Sequence, residues 1–297
     1  MNKIILIVTF VLISFQANAQ VNIFACEPEW ESLALEIGGK NVKTVSATNA
    51  QQDPHYIRAK PSLIAKIRKA DLLICSGAEL EVGWLPILLS HAKRTVQHGN
   101  IGFLMASEFV ETIEKPTNVS RANGDLHIEG NPHIHLDPYN ILLVAKEINN
   151  RLQKIDPKNS KTYQNNYASF SKKWNNAIKG WERKIVTLRN MGIVVHHKSF
   201  SYLIKWMKLN EVATLESKPG IAPTSGHLRE ILVKLDKQSA QFIIRTPFDS
   251  TDASQWLNKK TGIKELVLPF TINGNTESTN LFLLFDSTIN LLMGKTS

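Results

Sequence analysis

The sequence predicts an α/β fold of two lobes, each a parallel sheet flanked by helices, bridged by one long rigid helix. Short apolar strands alternate with helical patterns in both halves of the chain, and such βα units form parallel sheets. Between the halves, apolar residues recur at spacings of three and four, which is typical of a helix. We therefore predict an N-terminal lobe over residues 20–155, a linking helix over 156–188 and a C-terminal lobe over 189–297.

The first 19 residues have the pattern of a secretory signal peptide. Lys3 precedes an apolar run over residues 4–15, and the small residues Ala17 and Ala19 form an A-x-A cleavage site. The run is short for a bilayer span, which takes about 20 residues, so a retained N-terminal anchor is the less favoured alternative. We expect residues 1–19 to be removed and the mature protein to be periplasmic.

The charged residues are scattered along the chain. Lys and Arg number 35 against 26 Asp and Glu, a formal net charge of +9, but no long run of like charges occurs. Dispersed charge indicates solvated surface rather than a nucleic-acid patch. We expect a monomer that binds no nucleic acid.

The predicted N-terminal lobe has three strands, at VNIFAC, VKTVSAT and ADLLICSG, and three helices, at PEWESLALEIGG, SLIAKIRKA and GWLPILLSHA. Cys26 and Cys75 each end one of these strands. If the two strands are parallel neighbours, both sulfur atoms lie at one edge of the sheet, within bridging reach. Export favours a disulfide; two buried thiols and a cysteine metal ligand are the alternatives.

The linking helix is predicted to start with Asp156 as its N-cap and Pro157 in its first turn. At 1.5 Å per residue it would be about 45–50 Å long. Its apolar face indicates packing between lobes rather than a binding surface. That face consists of Tyr163, Tyr167, Phe170, Trp174, Ile178, Trp181, Ile185 and Leu188.

The predicted C-terminal lobe repeats the βα pattern. Its strands are GIVVHH, QFIIRTPF and IKELVLPF, and its helices are SFSYLIKWMKL, HLREILVKLDKQ, DASQWLNKKTG and NLFLLFDSTINLLMG. Ligands of parallel sheets bind at the carboxyl ends of the strands. His55 follows a strand of the first lobe and His197 ends a strand of the second, so both belong to that edge.

Three segments with histidines could contribute to one site: the segment of His55, residues 124–138, and the pair His196 and His197. Residues 124–138 (GDLHIEGNPHIHLDP) form a loop that contains three histidines. Imidazole is a common ligand for borderline-soft divalent metals. Neighbours such as His196 and His197, or extended positions two apart such as His133 and His135, do not readily offer both rings to one metal. Each pair is expected to supply one ligand.

With His55 the predicted site has three imidazoles, and tetrahedral zinc with three protein ligands keeps one position open. Separate structural or surface histidines are the alternative interpretation. The remaining histidines, His91, His98 and His227, have polar neighbours and are predicted to lie on the surface.

Four segments, DPHYIRAKPS, ADLLICSGAELEVGWLP, NPHIHLDP and HHKSFSYL, occur in this order. In this respect the chain resembles the solute-binding subunits of bacterial zinc and manganese ABC importers, metal receptors built around a long linking helix. The resemblance implies His55, His133 and His197 as the metal ligands. Manganese-selective relatives have a glutamate where this chain has His197, and the replacement favours zinc. Glu81 matches a family carboxylate expected to hold a ligand imidazole.

The chain departs from the family in two ways. The family often supplies an Asp as fourth ligand after a late strand, but LVLPFTINGN has no carboxylate there. Water, Asp249 or His127 could take the fourth position. The loop of roughly residues 106–130, often rich in histidine in zinc receptors, has only His127, which argues against a metal-collecting role.

The resemblance implies a periplasmic receptor, not an enzyme, that captures Zn(II) between the lobes, with Mn(II) less favoured. Its partner would be an ABC-type permease of the inner membrane, driven by an ATPase. An exported zinc hydrolase is one alternative, although the chain lacks H-E-x-x-H and G-x-S-x-G. A surface adhesin of the same fold is the other.

Overall fold

A computed structural model describes residues 20–117 and 127–295. The predicted signal peptide, residues 1–19, lies outside the described residues. Within the described ranges no helix combines the length and the apolar character that crossing a membrane would take.

The chain alternates strands and helices in both halves. The strands are β1 (Val21–Ala25), β2 (Val42–Ser46), β3 (Leu72–Cys75), β4 (Phe103–Met105), β5 (Gly192–Val195), β6 (Asn210–Thr214), β7 (Phe242–Arg245) and β8 (Lys264–Val267). The helices are α1 (Pro28–Gly38), α2 (Pro61–Ile67), α3 (Leu85–Leu89), α4 (Pro138–Ile155), α5 (Ser160–Ile185), α6 (Ser201–Met207), α7 (Ser225–Leu235), α8 (Asp252–Thr261) and α9 (Leu281–Leu292).

The first four strands form a parallel sheet in the order β2-β1-β3-β4. All four residues of β3 are buried, as expected of a strand whose sheet is covered on both faces. Because β1 and β3 are neighbours in register, Cys26 and Cys75 meet just past their paired ends, with Cα atoms 4.8 Å apart, and form a disulfide. The predicted bridge is confirmed.

The last four strands form a second parallel sheet with the equivalent order, β6-β5-β7-β8. The register between β5 and β6 shifts between Ile193 and Val194. Both sheets therefore present the loops after their central strands at a carboxyl edge, as the α/β prediction requires.

The long helix is confirmed, but it is shorter than the predicted 156–188. A 3-10 turn over Pro157–Asn159 precedes α5, and another over Val186–Leu188 follows it. The side chain of Asp156 makes no capping hydrogen bond to the 3-10 turn that follows it, and the N-cap of α5 is Asn159. Instead, Oδ2 of Asp156 accepts hydrogen bonds from the side chains of Asn159 and Tyr163. The lobe boundaries at 155 and 189 stay predictions.

Helix α5 contacts both lobes. Asn166 donates from Nδ2 to the carbonyl of Ile37 in α1 (3.0 Å), and Trp181 donates from Nε1 to Asp286 in α9 (3.1 Å). Between these contacts Trp174 is fully buried, and its Nε1 donates to the carbonyl of Pro138 at 2.7 Å. The predicted apolar face is thus a packing surface that joins the two halves.

Candidate metal centre

Three histidines that are far apart in the sequence meet between the two sheets. His55, His133 and His197 each place a ring nitrogen so that all three atoms lie within 4.8 Å of one another. Their ring centroids are 5.4 Å apart for His55 and His133, and 5.8 Å apart for each pair that includes His197. The structure therefore brings together the three predicted metal ligands.

His55 is held by the turn after β2. The Oδ1 atom of Asp53 accepts from the backbone N–H of His55 at 3.0 Å and lies 2.7 Å from its Nδ1. Trp84, which is fully buried, donates from Nε1 to the carbonyl of Pro54 (2.8 Å) and fixes the same turn. With Nδ1 engaged by a carboxylate, Nε2 is the nitrogen left for a metal.

His133 is the least solvated of the three. It is 2% exposed, and neither ring nitrogen has a hydrogen-bond partner among the described residues. Burial, together with the neighbouring histidines, lowers the pKa of His133 well below its usual value. Buried polar atoms without partners are rare in native proteins, and here they belong to a neutral imidazole in a form that can bind metal.

The loop of His133 is hydrogen-bonded to both halves of the chain, with Asn131 also bonded to Ile113 and Glu114 of the first half. Asn131 accepts from the backbone N–H of His133 (2.9 Å) and donates from Nδ2 to the carbonyl of Lys198 (2.9 Å). The hydroxyl of Tyr202, in α6, donates to the carbonyl of Asn131 at 2.8 Å. These contacts set the direction of the His133 ring.

His197 follows β5, and its Nδ1 lies 2.7 Å from Oε2 of Glu216. Burial lowers the pKa of His197, but the hydrogen bond to Glu216 and the charges of Glu216, Asp249 and Asp53 outweigh it, so the pKa is raised above its usual value. Glu216 therefore has the same relation to His197 that Asp53 has to His55.

The histidine next to each predicted ligand has other contacts, as the sequence analysis expected. His135 is buried between Oε1 of Glu29, 3.2 Å from its Nδ1, and the carbonyl of Phe270, 2.9 Å from its Nε2. His196 is also buried, and its Nε2 lies 3.8 Å from Glu216. Each pair supplies one ring to the cluster.

Two expectations need correction. Glu81 is buried, but its carboxylate accepts from the backbone N–H groups of Ser76 (2.8 Å) and Gly77 (3.2 Å) rather than holding a ligand imidazole. Burial raises its pKa to about 7. His227 is half-buried, with Nε2 2.9 Å from the carbonyl of Thr214, whereas His91 and His98 are exposed as predicted.

A cavity of about 220 Å³ lies beside the cluster. It is lined by Glu114, His127, Asn131, Pro132, His133, His197, Lys198 and Pro219. Of the residues considered for a fourth position, His127 lies with its Nε2 3.2 Å from Nε2 of His55. Asp249 accepts from the backbone N–H of Thr246 at 2.7 Å.

The sequence model of the family described as "Zinc-uptake complex component A periplasmic" matches residues 23–292. The chain belongs to this family. The match includes all three clustered histidines and strands of both sheets. The resemblance that the four short motifs indicate therefore extends over nearly the whole described structure.

Relatives of this zinc-uptake family are distant in sequence. The zinc-binding lipoprotein AdcA of Streptococcus pneumoniae is 22% identical over 258 residues, which cover 85% of this chain but 50% of AdcA. This chain therefore spans about half the length of that relative. The metal ABC transporter substrate-binding lipoprotein SloC of Streptococcus mutans is 26% identical over 83% of this chain and 79% of its own length.

Solved structures agree on the fold. A cadmium-bound periplasmic metal-binding protein from Candidatus Liberibacter asiaticus has a TM-score of 0.76 at 16% identity and covers 93% of this chain and 100% of its own. A zinc-bound ZnuA deletion mutant has a TM-score of 0.75 at 21% identity and covers 92% of this chain and 98% of its own. At these identities the likeness establishes the architecture alone.

Proposed function

We propose that this protein is a periplasmic receptor that captures Zn(II) at His55, His133 and His197 and delivers it to an ABC-type permease. The observation that carries the proposal is the buried His133 ring. Its two nitrogens have no hydrogen-bond partner in the part of the chain that the structure describes, and one of them approaches the ring nitrogens of two other histidines. A buried imidazole that makes no hydrogen bond would be unfavourable if its only role were packing. A metal bound there would satisfy it.

The ligand types favour zinc over manganese. All three grouped ligand atoms are imidazole nitrogens, and imidazole suits zinc, whereas manganese prefers carboxylate, carbonyl and water oxygens. Mn(II) is therefore the less favoured cargo, although one relative of this family is named as a manganese ABC transporter lipoprotein.

The two carboxylates nearest the ligands support capture rather than hydrolysis. Asp53 and Glu216 each accept from Nδ1 of a ligand imidazole at 2.7 Å. A carboxylate in that role orients the ring and raises its basicity, and it is not free to act as the base for a metal-bound water. The receptor function also agrees with the names of SloC and AdcA.

Delivery requires a permease and an ATPase in other chains, and it is tested by two measurements. Metal analysis of protein purified without added metal, followed by competition of Zn(II) against Mn(II), should give one bound zinc and a clear preference for zinc. Cells that lack the protein should take up less labelled zinc and recover when it is restored. Equal affinity for both metals, or unchanged uptake, would contradict the proposal.

A further inference from the structure

We infer that His127 is the fourth metal ligand, so that the site binds Zn(II) through four imidazoles and no water. The inference rests on the proposed zinc-receptor function and extends it, because it names the residue that closes the site. The segment LVLPFTINGN, which begins in β8, has no carboxylate, so a fourth ligand would have to come from another part of the chain.

The distance between His127 and His55 fits a shared metal. Their Nε2 atoms are 3.2 Å apart, and their ring centroids are 5.2 Å apart. Two nitrogens bound to one tetrahedral zinc at about 2.0–2.1 Å stand roughly 3.3–3.4 Å from each other. Nδ1 of His55 faces Asp53, so Nε2 is the nitrogen that His55 can offer to a metal. This is the atom that lies close to Nε2 of His127.

The backbone after His127 is held by three hydrogen bonds. The N–H of Ile128 donates to Oε2 of Glu79 at 2.5 Å, and the hydroxyl of Thr112 donates to the carbonyl of Glu129 at 2.6 Å. The N–H of Gly130 then donates to the carbonyl of His127 at 3.1 Å, which closes a turn.

Gly130 is required by this turn. Its φ is +101°, and a Cβ atom there would come within 2.8 Å of the carbonyl oxygen of Ile113 and of Thr112 Cβ. A side chain could therefore not be accommodated without moving Thr112 and Ile113, which the turn packs against. Gly130 therefore fixes the conformation of this turn, and His127 is the first residue of the turn.

One carboxylate oxygen of the rival side chain, Asp249, is engaged by the backbone of its own loop. The carboxylate of Asp249 accepts from the backbone N–H of Thr246 at 2.7 Å. In turn, the backbone N–H of Asp249 donates to the hydroxyl oxygen of Thr246 at 3.2 Å. Thr271, in the LVLPFTINGN segment, donates its hydroxyl to Glu29. The LVLPFTINGN segment has no carboxylate. His127 lines the cavity beside His133 and His197, and because it is not among the three nitrogens grouped within 4.8 Å, its ring would have to move toward them when metal binds.

Four imidazoles would also sharpen metal choice. A water-completed site can accept metals that favour oxygen, but a site of four neutral nitrogens leaves manganese none of its preferred ligands. His127 is thus expected to contribute more to zinc-over-manganese selectivity than a surface histidine could.

The test uses the full mature protein, Co(II) as a spectroscopic probe and Zn(II) for affinity and X-ray absorption. In His127→Ala we expect the imidazole count at zinc to fall from four to three, the visible absorption of bound Co(II) to shift, and zinc affinity to drop at least 10-fold, the lower end of the range known for outer partners. His98→Ala, which removes an exposed histidine, is the matched control and should change none of these.

Glu79 provides a second, independent variant. Glu79→Ala removes the acceptor for Ile128 N–H and should move the Co(II) spectrum toward that of His127→Ala, while Glu79→Gln, which keeps an acceptor oxygen, should restore it. An unchanged spectrum and imidazole count in His127→Ala would overturn the inference, as would a change seen in Asp249→Ala instead. A wild-type protein that binds neither metal would overturn the proposed function itself, and this inference with it.

Discussion

Oε2 of Glu216 lies as close to Nδ1 of His197 as Oδ1 of Asp53 lies to Nδ1 of His55, at 2.7 Å in each case. Two of the three clustered imidazoles are thus oriented by a carboxylate, one from each half of the chain. The third, His133, has no such partner within residues 20–117 and 127–295 and is oriented by its backbone, through Asn131. The predictions below follow from this division.

Removing any one clustered imidazole should weaken zinc binding severely. We expect His55→Ala, His133→Ala and His197→Ala each to lose more than the roughly 10–100-fold that altered outer partners cost. Competitive zinc titration measures the loss. His91→Ala and His98→Ala, at exposed positions, should bind as wild type does. A ligand variant with wild-type affinity would remove that residue from the site.

Zinc affinity should fall at low pH, and Glu216 should set where the fall begins. Because the pKa of His197 is raised above its usual value, which is about 6.5, protons compete with zinc at this ring already near neutral pH. Affinity is therefore full above the raised pKa and is lost as the pH drops through it. His133, whose pKa is lowered, stays neutral over the same range.

In Glu216→Gln the charge that raises the pKa of His197 is gone, so the acid loss of affinity should begin at a lower pH. Affinity at pH 8 should also drop by about 10–100-fold, because the ring loses its orienting carboxylate. Zinc titrations from pH 5.5 to 8 measure both effects. The same midpoint in the variant and the wild type would refute the assignment.

The disulfide should stabilise the first sheet. Cys26 and Cys75 are 49 residues apart in the sequence, so the bridge restricts a long loop in the unfolded chain. Changing both to Ser should lower the free energy of unfolding by about 2–4 kcal/mol, as measured by urea denaturation. A difference within about 0.5 kcal/mol, the range of ordinary surface changes, would mean that the bridge contributes little.

Trp174 should be the most costly position of α5. It is fully buried and contacts the rings of Phe170, Trp181, Phe282 and Phe285. Trp174→Ala should destabilise the protein by about 3–5 kcal/mol, whereas Lys173→Ala, exposed on the same helix, should stay within about 0.5 kcal/mol. Thermal and urea unfolding check this, and a small loss in Trp174→Ala would show that the helix does not depend on this core.

Much of the fold could be predicted because its signals are local. Strands β1, β2, β3, β5, β7 and β8 were predicted from short apolar runs. By contrast, β4 (Phe103–Met105) is three residues long, and β6 (Asn210–Thr214) has polar residues at both ends. Neither makes a run long enough to stand out, and both are defined by pairing with β3 and β5.

The elements predicted from the sequence do not include helix α4, although its sequence contains helix signals. Asp137 caps the helix by accepting from the N–H of Tyr139 (2.9 Å), and Pro138 occupies the first turn. This Asp-Pro pair closes a stretch rich in Gly and Pro, a composition that predicts a loop. The apolar spacing that follows is helical, and it was available in Ile141, Val144, Ala145, Ile148 and Leu152.

The ligands could be predicted better than the residues that hold them. Asp53 could have been identified, since an Asp two residues before a histidine can bond its backbone and ring. Glu216 could not, because it lies 19 residues beyond His197 and approaches it only through the pairing of β5 with β6. The role expected of Glu81 is wrong for a different, local reason, because its carboxylate accepts from the backbone N–H groups of Ser76 and Gly77 in the turn after β3.

The contacts of Asn131 place the His133 loop between the two halves of the chain. Its side chain donates both to Glu114 of the first half and to the carbonyl of Lys198 in the second, each at 2.9 Å, and its backbone N–H donates to the carbonyl of Ile113 at 2.8 Å. His55 is fixed by the turn after β2, and His197 follows β5. If the halves part to release cargo, we expect each half to keep one of these two rings. The loop of His133 would then have to break its hydrogen bonds to one half, so opening the site also frees its middle ligand.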